Sequence, residues 1–321
     1  MTQRILVCAL AVALVGLLAA SPADAGFKRL GASGLAFLKV AQGARPAAMG
    51  DAFTAVADDI NAMFWNPAGL VYIPNREIVF SYNRWVVDSK FYSGAFAIST
   101  DRGTFGISFV QFTPQTIEET TPFAPAGTGR KLAAGDMAIG FAYAKKLTDR
   151  FSLGGHFRYI QETLDKDKIS TVDVNLGTLF YTGFRSSRIA MTIRNFGKNE
   201  SVYNVSERRE GETFLSPMVF TTTIAMEFYG KKQDPNHLTV SFENVFAIDY
   251  DNRAHLGAEL WLANTLALRG GYKFNYDTDG FSGGVGIKRE AGKRKITVDF
   301  AYTDMGKQLE PALRFSVGGS F

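Results

Sequence analysis

From residue 76 onward apolar and polar positions alternate with a period of two, the pattern of strands rather than helices. In FSGGVGIK, Phe281, Gly283, Val285 and Ile287 share one face, and Ser282, Gly284, Gly286 and Lys288 the other. KITVDFAYTD sets Ile296, Val298, Phe300 and Tyr302 against Thr297, Asp299, Ala301 and Thr303. TLALRGGYKFN likewise sets Leu266, Leu268, Tyr272 and Phe274 against Ala267, Arg269, Gly271 and Lys273. One face is apolar with aromatics at the strand ends; the other is small, polar or charged. A soluble sandwich also alternates, but these runs of about ten residues match a tilted membrane strand better than the usual strand of a globular sheet.

Fourteen such segments are predicted. The first seven span 76–85, 90–99, 103–112, 134–146, 151–163, 169–182 and 188–196. The others span 214–228, 237–247, 253–262, 265–275, 280–289, 294–303 and 311–321. An even number suits a bacterial outer-membrane barrel, and so does the alternation of short turns (TDRG, LTDR, ANT) with long polar loops at 113–133 and 197–213. Leu313, Phe315, Val317, Gly319 and Phe321 alternate to the last residue. A closing amphipathic strand with a terminal Phe resembles the sorting signal through which the barrel-assembly machinery takes up its clients. The predicted fold is all-β: a transmembrane antiparallel β-barrel of about 14 strands, set among outer-membrane lipids.

Before residue 76 the period changes. In DAFTAVADDINAMF, Phe53, Val56, Ile60 and Met63 step by three or four, which predicts one amphipathic helix ended by Pro67. Gly43, Pro46 and Gly50 break the apolar run before it into short pieces. A segment of this size is too small for its own core, and a barrel of fourteen strands leaves lumen to fill. Residues 26–75 are therefore expected to form a helical hatch in the barrel formed by 76–321.

Residues 1–25 combine Arg4, an apolar run and Ala23-Asp24-Ala25, the pattern of a cleaved secretory signal peptide. The only cysteine, Cys8, lies within it, so no disulfide, thiol nucleophile or lipidated cysteine is expected in the mature chain. The net charge of +4 survives the removal, since Arg4 and Asp24 cancel. Its positive part is concentrated in turns, at Lys145 and Lys146, Arg185 and Arg188, Lys231 and Lys232, and Lys288 to Lys295. No aromatic-basic stacking platform accompanies it, so nucleic acid is not an expected partner.

The stretch FLKVAQGARPAAMGDAFTAVADDINAMFWNPAGL, with RAHLGAELWLANTLALRGGYKFN, FSGGVGIK and FSVGGSF, resembles the PorV/PorQ family of outer-membrane proteins, relatives of the FadL transporters. Gly43, Arg45, Met49, Gly50, Asp58, Asp59, Asn66, Pro67 and Gly69 fall in its hatch signature; Pro46 and Asp51 stand where small residues are usual. The resemblance implies a FadL-like barrel of fourteen strands with a hatch.

On the polar strand faces, Glu243, Glu259, Arg269, Lys273 and Asp299, with His255, and His156, Arg158, Asp173 and Arg194 earlier, place opposite charges on neighbouring strands. An ion-pair network joining wall to hatch is the expected reading, because buried charges need partners; a polar binding site is the alternative. No enzyme motif is present: no HExxH, no Gly-x-Ser-x-Gly elbow, and three histidines far apart in sequence. No catalytic residue, metal or cofactor is expected, although a Ser-His pair in the wall stays open because such partners need not be sequence neighbours. Two functions follow. The family resemblance implies a component of, or accessory to, type IX-like secretion and surface attachment, with secretion-system proteins as partners of the long loops. The alternative is passive passage of fatty-acid-like hydrophobic molecules, for which Phe53, Met63, Phe64 and Trp65 would line an apolar pocket.

Overall fold

The computed structural model describes residues 33–165, 167–204, 209–278, 280–292 and 294–321. The predicted signal peptide and residues 26–32 lie outside these. Fourteen strands pair in one closed cycle, as the period-two pattern requires. In chain order, β1 is Arg76–Arg84, β2 Lys90–Thr100, β3 Gly103–Thr113, β4 Ala134–Lys146 and β5 Phe151–Leu164. They are followed by β6 Asp167–Tyr181, β7 Arg188–Gly197, β8 Val219–Tyr229, β9 His237–Ala247 and β10 Arg253–Leu262. The wall ends with β11 Leu266–Phe274, β12 Phe281–Ala291, β13 Arg294–Thr303 and β14 Ala312–Ser320. Every neighbour in the wall is antiparallel, and β14 closes on β1 with Phe315 opposite Tyr82 and Val317 opposite Phe80. The backbone N–H of Phe321 donates to Arg76, and the Asn75 amide donates to the Phe321 carbonyl, fastening the seam.

The apolar face points outward. Phe80, Ile107, Ile139, Phe157, Val285, Ile296 and Phe315 are all exposed, as lipid contact demands. The opposite face is buried and, on several strands, stripped to Ala and Gly. Ala95, Ala97, Ala138, Ala142 and Ala144 are buried in one cluster with the apolar residues of the hatch. Both long connections carry small antiparallel ladders, Ile117–Glu118 with Lys131–Leu132 and Glu200–Asn204 with Arg209–Phe214.

The hatch differs from its sequence-based expectation. Residues 51–64 do not form one helix: the regular pieces are a 3-10 turn at Ala36–Lys39, a helix at Ala44–Ala48, a helix at Ala62–Trp65 and a 3-10 turn at Pro67–Tyr72. The wall competes for the backbone. The Thr54 N–H donates to Glu243 (3.1 Å) and the Ala55 carbonyl accepts from Arg188 (2.8 Å), so helical bonds there are replaced by bonds to strands. Pro46 does not break a helix. It sits in the first turn of Ala44–Ala48, where its missing N–H costs nothing, and Gly43 (φ 86°) and Gly50 (φ 60°) bracket the turn.

Candidate functional site

The hatch is the candidate site, and several of the residues singled out in it from the sequence dock it to the wall. Met49 and Gly50 lie so close to β10 and β11 that a methyl on Gly271 would sit 2.2 Å from the Met49 carbonyl carbon, and one on Gly257 would sit 2.4 Å from its oxygen. The side chain of Ala48 lies on Gly284 of β12. Across the lumen, the Asn66 side chain lies on Gly177 of β6 and the Pro67 backbone on Gly154 of β5. The hatch therefore touches opposite walls through glycine seats. Gly69 answers the same need internally, since a side chain there would strike the Ala57 carbonyl at 2.2 Å. Asn66 joins both layers: its amide donates to the carbonyls of Thr54 (2.9 Å) and Thr178 (3.1 Å), and its oxygen accepts the Ala68 N–H (3.1 Å) at the start of the last hatch turn.

Electrostatic fastening centres on Arg45. Its guanidinium is bidentate to Glu259 of β10 (2.7 and 2.8 Å) and also donates to Asp58 (2.6 Å) and Asp59 (2.7 Å). Glu259 in turn accepts from its cross-strand partner Arg269 (2.7 Å), which reaches Asp299 (2.6 Å). Lys232, from the turn after β8, closes on Asp58 at 2.6 Å. Burial alone would push the Asp58 carboxyl up, but Arg45 and then Lys232 outweigh it and hold the group well below the ordinary aspartate range. The same carboxylates raise Arg45 above its ordinary value against the opposing effect of burial.

The predicted lumen charges are thus brought together only in part. Glu259, Arg269 and Asp299 form one chain with Arg45. Lys273 stands apart and pairs with Asp51 of the hatch at 2.6 Å. Glu243 joins neither group; it accepts from Thr54 and Thr223. Arg188 and Lys232, counted above among the turn charges, are both paired. Arg188 is fully buried and pairs with Glu227 (2.9 Å), a partner that sequence spacing hid because it is provided by β8. At the other end of the lumen, Arg253 is held between the rings of Tyr250 and Tyr276 at 3.9 and 4.0 Å, and Arg194 lies 5.0 Å from the ring centre of Trp65.

Phe53, Met63, Phe64 and Trp65 are all buried in the hatch core, with Phe53 edge-on to Trp65 and the indole N–H donating to Gln42. Two cavities open elsewhere. One of about 240 Å³ lies between the hatch and the wall strands β1 and β7–β13, lined by Arg45, Asp59, Glu77, Glu259, Arg269 and Asp299 among others. The second, about 890 Å³, shares Asp58, Arg188, Glu227 and Lys232 with it and opens at the short-turn mouth. Neither is lined by the four apolar residues.

The wall also contains a Ser-His pair: Ser108 lies 2.9 Å from Nε2 of His156, and the Asn175 amide nitrogen lies 3.3 Å from Nδ1. The Asn175 oxygen accepts the Asn195 N–H (2.7 Å), which turns its NH2 group towards Nδ1 of His156. An Nδ1 that accepts from this amide leaves Nε2 to donate to Ser108, the tautomer opposite to that of a general base.

The architecture is shared with solved structures. The chain superposes on the toluene transporter TbuX of Ralstonia pickettii with a TM-score of 0.59 and 13% identity, covering 87% of this chain and 97% of that one. The monoaromatic hydrocarbon channel CymD gives 0.60 at 11% identity, with the same coverage, 87% and 97%. A FadL homologue of Pseudomonas aeruginosa gives 0.52 at 12%, again covering 87% and 97%. Residues 15–160 match the sequence model of an uncharacterised protein family, UPF0164. No curated protein matches the chain in sequence. The fold is that of the FadL-like outer-membrane barrels. What the chain shares with these three structures is the fold.

Proposed function

We propose that the protein is a passive outer-membrane route for hydrophobic small molecules. The observation that carries this reading is a closed barrel whose fold, over most of the chain, is similar to those of a toluene transporter and a monoaromatic hydrocarbon channel. The hatch supports it physically. The hatch sits on glycines of both walls, and Phe53, Met63, Phe64 and Trp65 are the apolar groups a ligand would meet when it yields. A part in secretion, of the PorV/PorQ type, rests on the resemblance of the hatch signature and on the ladder-bearing connections 114–133 and 198–218 as a surface for secretion-system partners. The similar structures favour transport.

The test is mass spectrometry of what co-purifies after gentle extraction from the native outer membrane. A stoichiometric apolar molecule, lost from a Phe53→Ser, Trp65→Ser variant that remains folded, is the expected result. A stoichiometric protein, lost when the loop around 197–213 is shortened, would replace transport with secretion.

A further inference from the structure

The turns that carry the positive charge are absorbed by neither reading. Three of them, after β4, β6 and β8, surround the cleft of about 890 Å³ at the short-turn mouth, which faces the periplasm in a barrel with short periplasmic turns. Tyr72 of the hatch and Tyr181 of β6 form its wall, edge-on at 5.9 Å. Five cations face three carboxylates in its lining. Two of those carboxylates are taken: Asp58 by Arg45 and Lys232, and Glu227 by Arg188. The cations that take them are also held against the aromatic wall, Lys232 at 5.6 Å from Tyr72 and Arg188 at 6.0 Å from Tyr181. The third carboxylate, Asp149, faces three remaining cations, Lys146, Arg185 and Lys231, for which no ion pair is found among the described residues.

We infer that this cleft is a docking site for an acidic peptide segment of a periplasmic protein. Charge complementarity selects the occupant: the side chains already committed to the hatch are neutralised, and what faces the periplasm is a surplus of cations spread over three separate turns. An acidic segment carries several carboxylates to meet cations presented by three different turns of one cleft. The tyrosine wall offers the segment an apolar and hydrogen-bonding surface between the charges. Exposed pairs of this kind contribute modestly one by one and act through their number, so binding should be strongly dependent on salt. The inference is independent of the transport reading: a barrel with either function could carry this site.

The experiment uses the mature protein in phosphatidylcholine nanodiscs and a fluorescein-labelled hexaglutamate peptide, followed by anisotropy. Saturable binding is expected, weakening steeply as salt is raised. The Lys146→Glu, Arg185→Glu, Lys231→Glu variant should lose about tenfold or more in affinity, given the cost of like charges at an interface. Lys307→Glu, in the loop before β14, should bind as wild type. Should the triple variant fail to fold, single Lys146→Gln and Lys231→Gln variants should each still weaken binding. Absence of saturable binding, binding that survives every charge change, or inorganic phosphate binding with the same residue dependence while the peptide does not bind, would each overturn the inference.

Discussion

Replacing Arg45 with methionine keeps much of its volume and removes the charge that ties hatch to wall. Arg45 is the shared partner of Glu259, Asp58 and Asp59, and all four are largely buried or half-buried. Removing one partner of a buried pair typically costs about 3–5 kcal/mol, because the charges left behind have lost their compensation. Here the lower end applies: Glu259 keeps Arg269 and Asp58 keeps Lys232, so only Asp59 loses its ion pair outright. A loss of about 3 kcal/mol raises the hatch's opening constant roughly a hundredfold, at about 1.4 kcal/mol per decade. Hydrogen exchange read by mass spectrometry measures this directly. The amides of Val56, Ala57, Met63 and Asn66 are all bonded within the hatch and should lose about two decades of protection by this same arithmetic. Amides in β12 and β13 should be unchanged. Unchanged protection in the hatch, or equal loss throughout the barrel, would refute the placement of Arg45 as its fastening.

Three further outcomes follow from the same contacts. Gly271→Ala should lower hatch stability by about 1–3 kcal/mol through overpacking, while Gly270→Ala, whose added methyl meets nothing within 4 Å, should leave the denaturant midpoint unchanged. Asn66→Ala takes the side-chain donor from one buried and one partly buried carbonyl and should cost about 1–3 kcal/mol, measurable as hatch exchange or accelerated proteolysis within 52–66. With regard to pH, the Asp58 carboxyl is lowered in the folded state, so its stabilisation is complete above the unfolded aspartate value of about 4 and is lost as pH falls through the folded value. Hatch exchange, corrected for intrinsic rates, should therefore be flat between about pH 5 and 8; a loosening across that window would contradict the sign.

The wall was legible because one physical demand, lipid outside and packed polar or small groups inside, is repeated along every strand. The register pair Glu259–Arg269 could be read from that alternation. The hatch was legible as a break in the strand pattern before residue 76, but not in form. Its periodicity at Phe53, Val56, Ile60 and Met63 reflects burial, yet the backbone between them bonds to Glu243 and Arg188, residues more than a hundred positions away. Proline and glycine carried their meaning only in three dimensions: Pro46 opens a helix rather than closing one, and Gly257 and Gly271 matter for what they allow Met49 to approach. Arg45 stood in a recognised signature, but nothing in the sequence pairs it with Glu259, and Lys232 looked like any turn lysine until Asp58 met it.

The central claim, a hatch-closed barrel that admits hydrophobic molecules, is tested most directly by uptake into cells that lack other FadL-like barrels and produce this protein in their outer membrane. Uptake of radiolabelled toluene, a longer-chain hydrophobic compound and a small hydrophilic sugar would be compared with cells carrying the empty vector. The account predicts faster uptake of at least one hydrophobic compound and no change for the sugar. Faster uptake of the sugar, or no change for either hydrophobic compound, would contradict it.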